Sequence, residues 1–306
     1  MTSTDPRSVP LAARERPLRL PVHCRSTASR SEVVEAMRRM LRRRKLNSVC
    51  EEARCPNLAH CFSQGTVTFM LLGDVCTRAC RFCNVATGRG APVDPAEPRQ
   101  VAAAVRELGL RHVVLTSVNR DDLPDQGSRQ FALTIDAVRS LSPATTIEVL
   151  TPDFRGETDA IDTVVDAAPD VYNHNVETSP RLYQSVRPGA RFSRSLALLA
   201  RAKARGLRGL TKSGLMLGLG ETLAEVREVL RALREVQVDV VTLGQYLRPT
   251  LRHLPVERYL EPREFQELGR EAELMGFLHV ASGPLVRSSF HAKDTLEFLG
   301  AAGVRP

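Results

Sequence analysis

Six of the seven cysteines in this chain fall into two tight groups, Cys50, Cys55, Cys61 and Cys76, Cys80, Cys83. The second group has the spacing Cys-x3-Cys-x2-Cys, which holds three thiolates around one iron–sulfur cluster and leaves the fourth iron without a protein ligand. The first group, Cys-x4-Cys-x5-Cys, ends fifteen residues upstream of the second. Two such nests predict two clusters. Each needs a fourth ligand other than cysteine, because the one cysteine left over, Cys24, cannot serve both. An iron with an open position binds and activates a small molecule, whereas a four-cysteine cluster mainly stores or relays electrons. Disulfides fit less well: residues 1–5 are polar with no apolar signal core after them, and a chain of 306 residues builds a core without staples. Structural zinc closes with four Cys or His ligands, commonly as Cys-x2-Cys pairs, and neither group supplies a second pair. His60 beside Cys61 offers a Cys3His alternative. Cys24, in a Pro- and Arg-rich stretch, reads as a free thiol.

The residues around these cysteines divide into four stretches. Residues 1–30 carry Pro6, Pro10, Pro17 and Pro21 among arginines and read as an extended arm. Residues 31–65 begin with a helix, capped by Ser31 with an apolar stripe of Val33, Met37, Met40 and Leu41, and continue into the first cysteine group. The basic run Arg38, Arg39, Arg42, Arg43, Arg44, Lys45 reads as a solvated face. Residues 66–280 alternate strand-like and helix-like runs. Residues 281–306 form a closing segment. The formal charge is +8, which suits anionic partners. With no Trp and four Tyr, a base-stacking platform for nucleic acid is poorly supported. No apolar run is long enough to span a membrane, and the cytoplasm is the expected compartment.

Strand-like runs at 66–72, 112–117, 145–150, 170–176, 209–217 and 239–246 alternate with helix-like runs at 95–108, 130–141, 158–168, 193–205, 222–236 and 262–275. Six such repeats imply right-handed crossovers and a parallel sheet. That sheet either curls into an incomplete barrel or stays open and doubly wound, and both forms bind ligands at the carboxyl ends of their strands. Cys76, Cys80 and Cys83 follow the first strand, which puts them at that mouth. Thr116-Ser117 and Asn119, Glu148, Asn175 and Glu177, Lys212 and Gln245 stand at or near the ends of other strands. Core strands of a parallel sheet are apolar throughout, so this collection outlines a polar cavity.

The stretch Cys76-Thr77-Arg78-Ala79-Cys80-Arg81-Phe82-Cys83 resembles the cluster loop of the radical S-adenosylmethionine (radical SAM) superfamily. That resemblance implies a partial (β/α)6 barrel, a fold of the TIM type. It also implies a 4Fe-4S cluster on Cys76, Cys80 and Cys83, whose open iron is chelated by the methionyl group of S-adenosylmethionine, with Phe82 near the adenine. Cys50-Glu51-Glu52-Ala53-Arg54-Cys55-Pro56-Asn57-Leu58-Ala59-His60-Cys61 resembles the auxiliary-cluster motif of the lipoyl synthase family. So do Asn173-His174-Asn175-Val176-Glu177-Thr178, Val186-Arg187-Pro188-Gly189-Ala190, and the stretches at 211–222, 243–250 and 280–290. The similarity runs in order from about residue 46 to 292.

The family resemblance implies insertion of two sulfur atoms at C6 and C8 of an octanoyl chain carried on a protein lysine. Those carbons offer no acidic proton and no leaving group, so a radical must remove hydrogen and a cofactor must supply it. In the family, reductive cleavage of S-adenosylmethionine gives that radical, and a second 4Fe-4S cluster donates the sulfur and is consumed. Its protein ligands map to Cys50, Cys55, Cys61 and, from the second serine of an Arg-Ser-Ser-Tyr motif, Ser289. A serine oxygen is a harder iron ligand than thiolate, which fits a cluster that comes apart. Cofactor contacts are expected from Asn175 and Glu177 on the methionyl or ribose groups and from Thr116 or Ser117 on the amine. Lys212, Arg187 and Arg248 are expected as anion contacts, with a structural ion pair as the alternative for Lys212. The partners implied are an octanoylated lipoyl carrier protein or domain, a low-potential electron donor and an iron–sulfur carrier for repair. The chain departs from the family at Phe290 (usually Tyr), Asn119 (commonly Asp) and Gln126 (commonly Gly). Two other readings stand beside this one: another sulfur-inserting radical SAM enzyme, or a zinc- or cluster-stabilised RNA-binding protein.

Overall fold

A computed structural model of the chain describes residues 18–25 and 32–289. The Ser31 cap, Phe290 and most of the arm and closing segment lie outside the described residues. In chain order the strands are β1 (Asn47–Ser48), β2 (Thr68–Leu71), β3 (Val75–Cys76), β4 (Ala86–Thr87), β5 (His112–Ser117), β6 (Thr146–Leu150), β7 (Val171–Asn173), β8 (Leu210–Leu217), β9 (Val240–Gln245) and β10 (His279–Gly283). The α-helices are α1 (Glu32–Arg43), α2 (Val49–Glu52), α3 (Leu58–Ser63), α4 (Glu97–Glu107), α5 (Ser128–Leu141), α6 (Thr158–Asp166), α7 (Tyr183–Val186), α8 (Phe192–Ala204), α9 (Leu223–Glu235) and α10 (Pro262–Leu274).

Eight strands form one sheet in the order β1-β2-β5-β6-β7-β8-β9-β10. Every pair is parallel except β1 with β2. A doubly wound sheet would reverse its strand order at a switch point. Here each unit lands beside the one before it, which is the winding of a barrel left incomplete. Six units, β2α4, β5α5, β6α6, β7α8, β8α9 and β9α10, make the expected partial (β/α)6 barrel. The strand β10 is one more than the alternation predicts; its five residues end in Ser282-Gly283, are only half-buried and carry little apolar signal. The antiparallel edge strand β1 pairs Asn47 with Met70 and Ser48 with Phe69, which sets the first cysteine group beside β2.

The core fills the space between sheet and helices, where Phe69, Leu71, Val113, Leu115, Ile147, Val149 and Leu215 meet Val101, Ile135, Val164 and Leu199. Local chemistry sets the helix ends. Helix α9 starts in a capping box in which Thr222 Oγ1 accepts the Glu225 N–H at 3.2 Å and the Glu225 carboxylate accepts that of Thr222 at 2.8 Å. Helix α5 starts two residues before the expected 130, because the Asp125 carboxylate takes the N–H groups of Gly127 and Arg129. In α1 the buried stripe is Val34, Met37, Met40 and Leu41, while Val33 is exposed. Of the arm, residues 18–25 hold one 3-10 turn, Val22–Cys24, with Cys24 buried and His23 Nε2 at 3.2 Å from the Leu260 carbonyl, so this part is folded against the barrel rather than extended.

Strand β7 stops at Asn173, three residues short of the expected end. The chain then crosses towards β8: His174 N–H donates to the Lys212 carbonyl at 3.0 Å, and Glu177 takes a φ of +68°. A non-glycine residue in the left-handed region is uncommon and marks a constrained position. The early exit turns Asn175 and Glu177 into the mouth of the barrel.

Candidate active site

The second cysteine group is a loop closed at its base by the short pair β3–β4, with Val75 opposite Ala86 and Cys76 opposite Thr87. The Thr77 N–H and hydroxyl both donate to the Asn119 carbonyl at 3.0 Å, and Thr77 Oγ1 accepts the Asp121 N–H at 3.1 Å. Arg78 is the strongest fastener. Its Nε and Nη2 donate to the two oxygens of Asp121 at 2.8 and 2.9 Å, and its Nη1 lies 2.7 Å from Asp153, which Arg194 meets on its other oxygen at 3.0 Å. Burial alone would raise the Asp153 pKa, but the Arg78 charge leads a set of cations and donors that holds it below the usual carboxylate range. Further along, Arg81 N–H donates to the Val186 carbonyl at 2.8 Å, and His253 Nε2 lies 3.0 Å from the Cys83 carbonyl. The loop between β2 and α4 is thus bolted to the ends of β5, β6 and the chain after β7 and β9.

The first group lies on two short helices. Ser48 caps α2 by accepting the Cys50 N–H at 3.2 Å, Cys55 follows the helix, and Cys61 lies in α3. Asn84, next to Cys83, donates to the Glu52 carbonyl at 2.8 Å and ties the two cysteine loops together.

Both groups open onto one cavity of about 450 Å³ over the carboxyl ends of the strands. All six cysteines line it, with Phe82, Thr116, Ser117, Asn175, Glu177, Arg187, Arg248, Ser288 and Ser289. Burial raises the pKa of every one of these thiols: Cys55 and Cys80 to about 11, and Cys61 and Cys83 to about 12, with Cys50 and Cys76 shifted the same way. Neighbouring thiols add to the shift, Cys50 and Cys55 on Cys61, and Cys80 and Cys76 on Cys83. Within each group the sulfurs are therefore near enough to feel one another. Among the described residues, however, no three Cys, His, Asp or Glu side chains converge on the radius of a single metal ion.

The polar residues at the strand ends differ in how free they are. Ser117 Oγ and Asn175 Oδ1 are buried with no hydrogen-bond partner among the described residues. Buried polar atoms are rarely left so, and both face the cavity, which fits a polar ligand there. Asn175 Nδ2 donates to Glu177 Oε1 and to Ser288 Oγ, each at 3.2 Å. Burial raises the Glu177 pKa and the Arg187 charge opposes it. Arg187 donates to the Asn175 carbonyl at 2.8 Å and lies over the Tyr183 ring, while its Nε has no partner among the described residues. Thr116 Oγ1 donates to the Leu150 carbonyl at 2.9 Å, so its hydroxyl proton is engaged by the sheet. Phe82 packs against the apolar cluster formed by Val186, Leu219, Tyr246 and Val256.

Lys212 follows the ion-pair alternative: its side chain is buried, its ammonium donates to both oxygens of Glu148 at 3.1 Å, and Asn173 Nδ2 donates to the same carboxylate at 2.9 Å. A charge in the middle of a strand has to be paired inside the barrel, and Glu148 on the neighbouring strand is that partner. Arg248, expected as an anion contact, reaches the cavity wall but donates to the carbonyls of Leu251 and His253. Arg78, Asn84 and Asn57 carry the site's architecture and have no local sequence signal, because their partners lie 30 or more positions away.

Comparison with known proteins agrees with this geometry. The family model of the radical SAM superfamily matches residues 70–233, which runs from within β2 through most of α9. Among solved structures, methylornithine synthase aligns over 89% of this chain and 93% of its own with a TM-score of 0.53 at 17% identity. SuiB of Streptococcus suis bound to its precursor peptide aligns over 74% of this chain and 52% of its own with a TM-score of 0.54 at 13% identity. Likeness at such identity speaks for the fold alone. The chain is a radical SAM protein. Relatives named lipoyl synthase are far nearer in sequence: that of Methylococcus capsulatus (strain Bath) is 56% identical over 93% of this chain and 88% of its own length. Those of Coxiella burnetii (strain Dugway 5J108-111) and Rubrobacter xylanophilus are 53% and 54% identical over 90% or more of this chain. The chain belongs to the lipoyl synthase family.

Proposed function

We propose that the two cysteine groups divide the labour of this lipoyl synthase, with Cys76, Cys80 and Cys83 serving cofactor cleavage and Cys50, Cys55, Cys61 and Ser289 holding the sulfur donor. The enzyme inserts two sulfur atoms at C6 and C8 of a protein-bound octanoyl chain, and membership of the superfamily brings one 4Fe-4S cluster and S-adenosylmethionine. A second 4Fe-4S cluster is the further step. The observation that carries it is the opening of all six thiols and Ser289 onto one cavity. When bound, the cofactors supply a radical able to take hydrogen from an unactivated carbon, and a store of sulfide.

The chain's own residues bind and orient. In this reading Cys76, Cys80 and Cys83 would hold the cluster that serves cofactor cleavage, while Asn175, Glu177 and Ser117 would receive the methionyl and ribose groups of S-adenosylmethionine. Thr116 buttresses that wall and Phe82 supports the adenine. Arg78 fixes the loop from behind. Met70, Val85, Leu150, Leu215 and Met216 supply apolar wall, which keeps water from a reactive carbon centre. Ser288 is already held by Asn175, whereas Ser289 has no partner among the described residues, and this favours Ser289 as the fourth ligand of the first group.

The domain reading follows the same division: a cluster segment over 31–65, a barrel over 66–280 and a closing segment from 281 that carries the serine. The partners are an octanoylated lipoyl carrier protein or domain, a low-potential electron donor and an iron–sulfur carrier that rebuilds the donor. No disulfide joins the cysteines of the described residues, the proposed compartment is the cytoplasm, and no helix among the described residues is long and apolar enough to cross a membrane. Ser289→Ala tests the reading: it should still cleave S-adenosylmethionine to 5′-deoxyadenosine but insert no sulfur, while Ser288→Ala stays milder. Normal sulfur insertion by Ser289→Ala would move the fourth ligand elsewhere, with His60 next.

A further inference from the structure

Asn57 stands at the N-cap of α3, between Cys55 and Cys61, yet its side chain does not cap that helix. Asparagine at this position ordinarily accepts the N–H of a residue two or three further on. Here the side chain is almost fully buried, and Nδ2 donates at 2.7 Å to the carbonyl of Leu285, 228 positions away. Leu285 begins the segment that carries Ser288 and Ser289. The same segment is fixed from a second side. Gln245 N–H donates to the Pro284 carbonyl at 3.3 Å, and the chain passes so close to β9 that a Cβ on Gly244 would run into the Val286 carbonyl. On the third side Asn175 Nδ2 meets Ser288 Oγ at 3.2 Å.

We infer that Asn57 is a positioning residue that locks residues 284–289 over the first cysteine group, with Gly244 providing the clearance that lets the segment lie there. The inference rests on the reading of Ser289 as the fourth ligand and adds how that ligand is delivered. A serine more than two hundred residues from its partner cysteines must be held in register by contacts other than the metal itself, or the donor would have to order the segment as it loads. A single buried hydrogen bond from inside the cysteine loop makes the segment's posture depend on the fold of that loop. Asn57 touches neither substrate nor cofactor in this account.

Hydrogen exchange on the reduced, metal-free chain tests it without activity of the loaded enzyme. Asn57→Asp keeps the shape and replaces the donor with a carboxyl set against the Leu285 carbonyl. Exchange across 284–289 should rise at least fivefold, the effect of losing one buried hydrogen bond of about 1 kcal/mol, while β8 and β9 keep their protection. Gly244→Ala should do the same from the opposite side and serves where Asn57→Asp loosens the whole sheet. Reconstituted Asn57→Asp should hold fewer irons on the first group, insert less sulfur and still cleave S-adenosylmethionine. Unchanged exchange at 284–289 in both variants would overturn the inference, as would a loosened segment with full sulfur insertion. Ser289→Ala separates the two readings: it should leave 284–289 protected, and if it inserts sulfur normally the ligand assignment fails while the Asn57 exchange result still stands.

Discussion

Lys212→Met should destabilise the protein strongly without touching the chemistry. Lys212 and Glu148 are each about 1% exposed, and the ammonium donates to both carboxylate oxygens at 3.1 Å. Removing the cation leaves Glu148 with Asn173 Nδ2 at 2.9 Å and His112 Nε2 at 3.8 Å. An uncompensated buried charge of this kind costs about 3–5 kcal/mol, a large part of a total stability of about 5–15 kcal/mol. In guanidinium chloride that is a midpoint lower by about 1 M. The loss should depend on pH. His112 is held neutral by burial, with Glu148 raising its pKa and Lys212 lowering it. Without Lys212 one lowering charge is gone, while burial still lowers the pKa of the ring. A histidine whose pKa is depressed in the fold loses its stability contribution as pH falls below the unfolded value; the variant loses less of it than the parent, so the deficit should be larger at pH 8 than at pH 6. Lys212→Met with Glu148→Gln removes the orphan charge and keeps an acceptor for Asn173; it should regain most of the loss and keep the parent KM for S-adenosylmethionine. Denaturation of the reduced, metal-free variants and cofactor cleavage by the loaded ones are the assays. A stable Lys212→Met that has lost cofactor cleavage would refute the pairing and put Lys212 on the cofactor.

Cys80→Ala should abolish cofactor cleavage, whereas Cys55→Ala should still release 5′-deoxyadenosine and make no lipoyl product; chromatography of the two reactions separates them. Arg78→Met should loosen the second cysteine loop, since it removes a buried bidentate contact to Asp121 and the link to Asp153, together about 3 kcal/mol of charge-assisted bonding; iron retained after reconstitution should fall, with Arg78→Lys intermediate. His174, buried between the Thr151 carbonyl and Ser195 Oγ, has its pKa lowered by burial to about 4. The unfolded chain takes that proton first, so its contribution is complete above pH 6.5 and falls away between pH 6.5 and about 4. A His174→Asn chain should show a shallower loss of stability than the parent over that window.

The barrel was legible because each βα unit repeats a local pattern: β5 matches its expected bounds and most other strands differ by one or two residues. The differences have local causes. Asp125 starts α5 early, β10 (His-Val-Ala-Ser-Gly) carries too little apolar signal to read as a strand, and β7 ends at Asn173 because the chain turns to bring Asn175 and Glu177 inward. The cysteine groups were legible because each has its spacing within a short stretch of chain, residues 50–61 and 76–83. The fasteners were not: Arg78 with Asp153, Asn84 with Glu52 and Asn57 with Leu285 join segments far apart in the chain, and none of these residue types is unusual in a loop. Lys212 left two readings open in the sequence, since an isolated charge in a buried strand looks the same whether it meets a ligand or a neighbouring carboxylate.

The central claim is that the first cysteine group supplies the sulfur. Reconstitution of that group with heavy-isotope sulfide, followed by reaction with an octanoylated carrier in a solution holding only ordinary sulfide, tests it in one mass spectrum. The account predicts a carrier that gains two heavy sulfur atoms, at no more than about one lipoyl group per chain, because the donor belongs to the protein. Ordinary sulfur in the product, or many turnovers with no iron–sulfur carrier added, would contradict it.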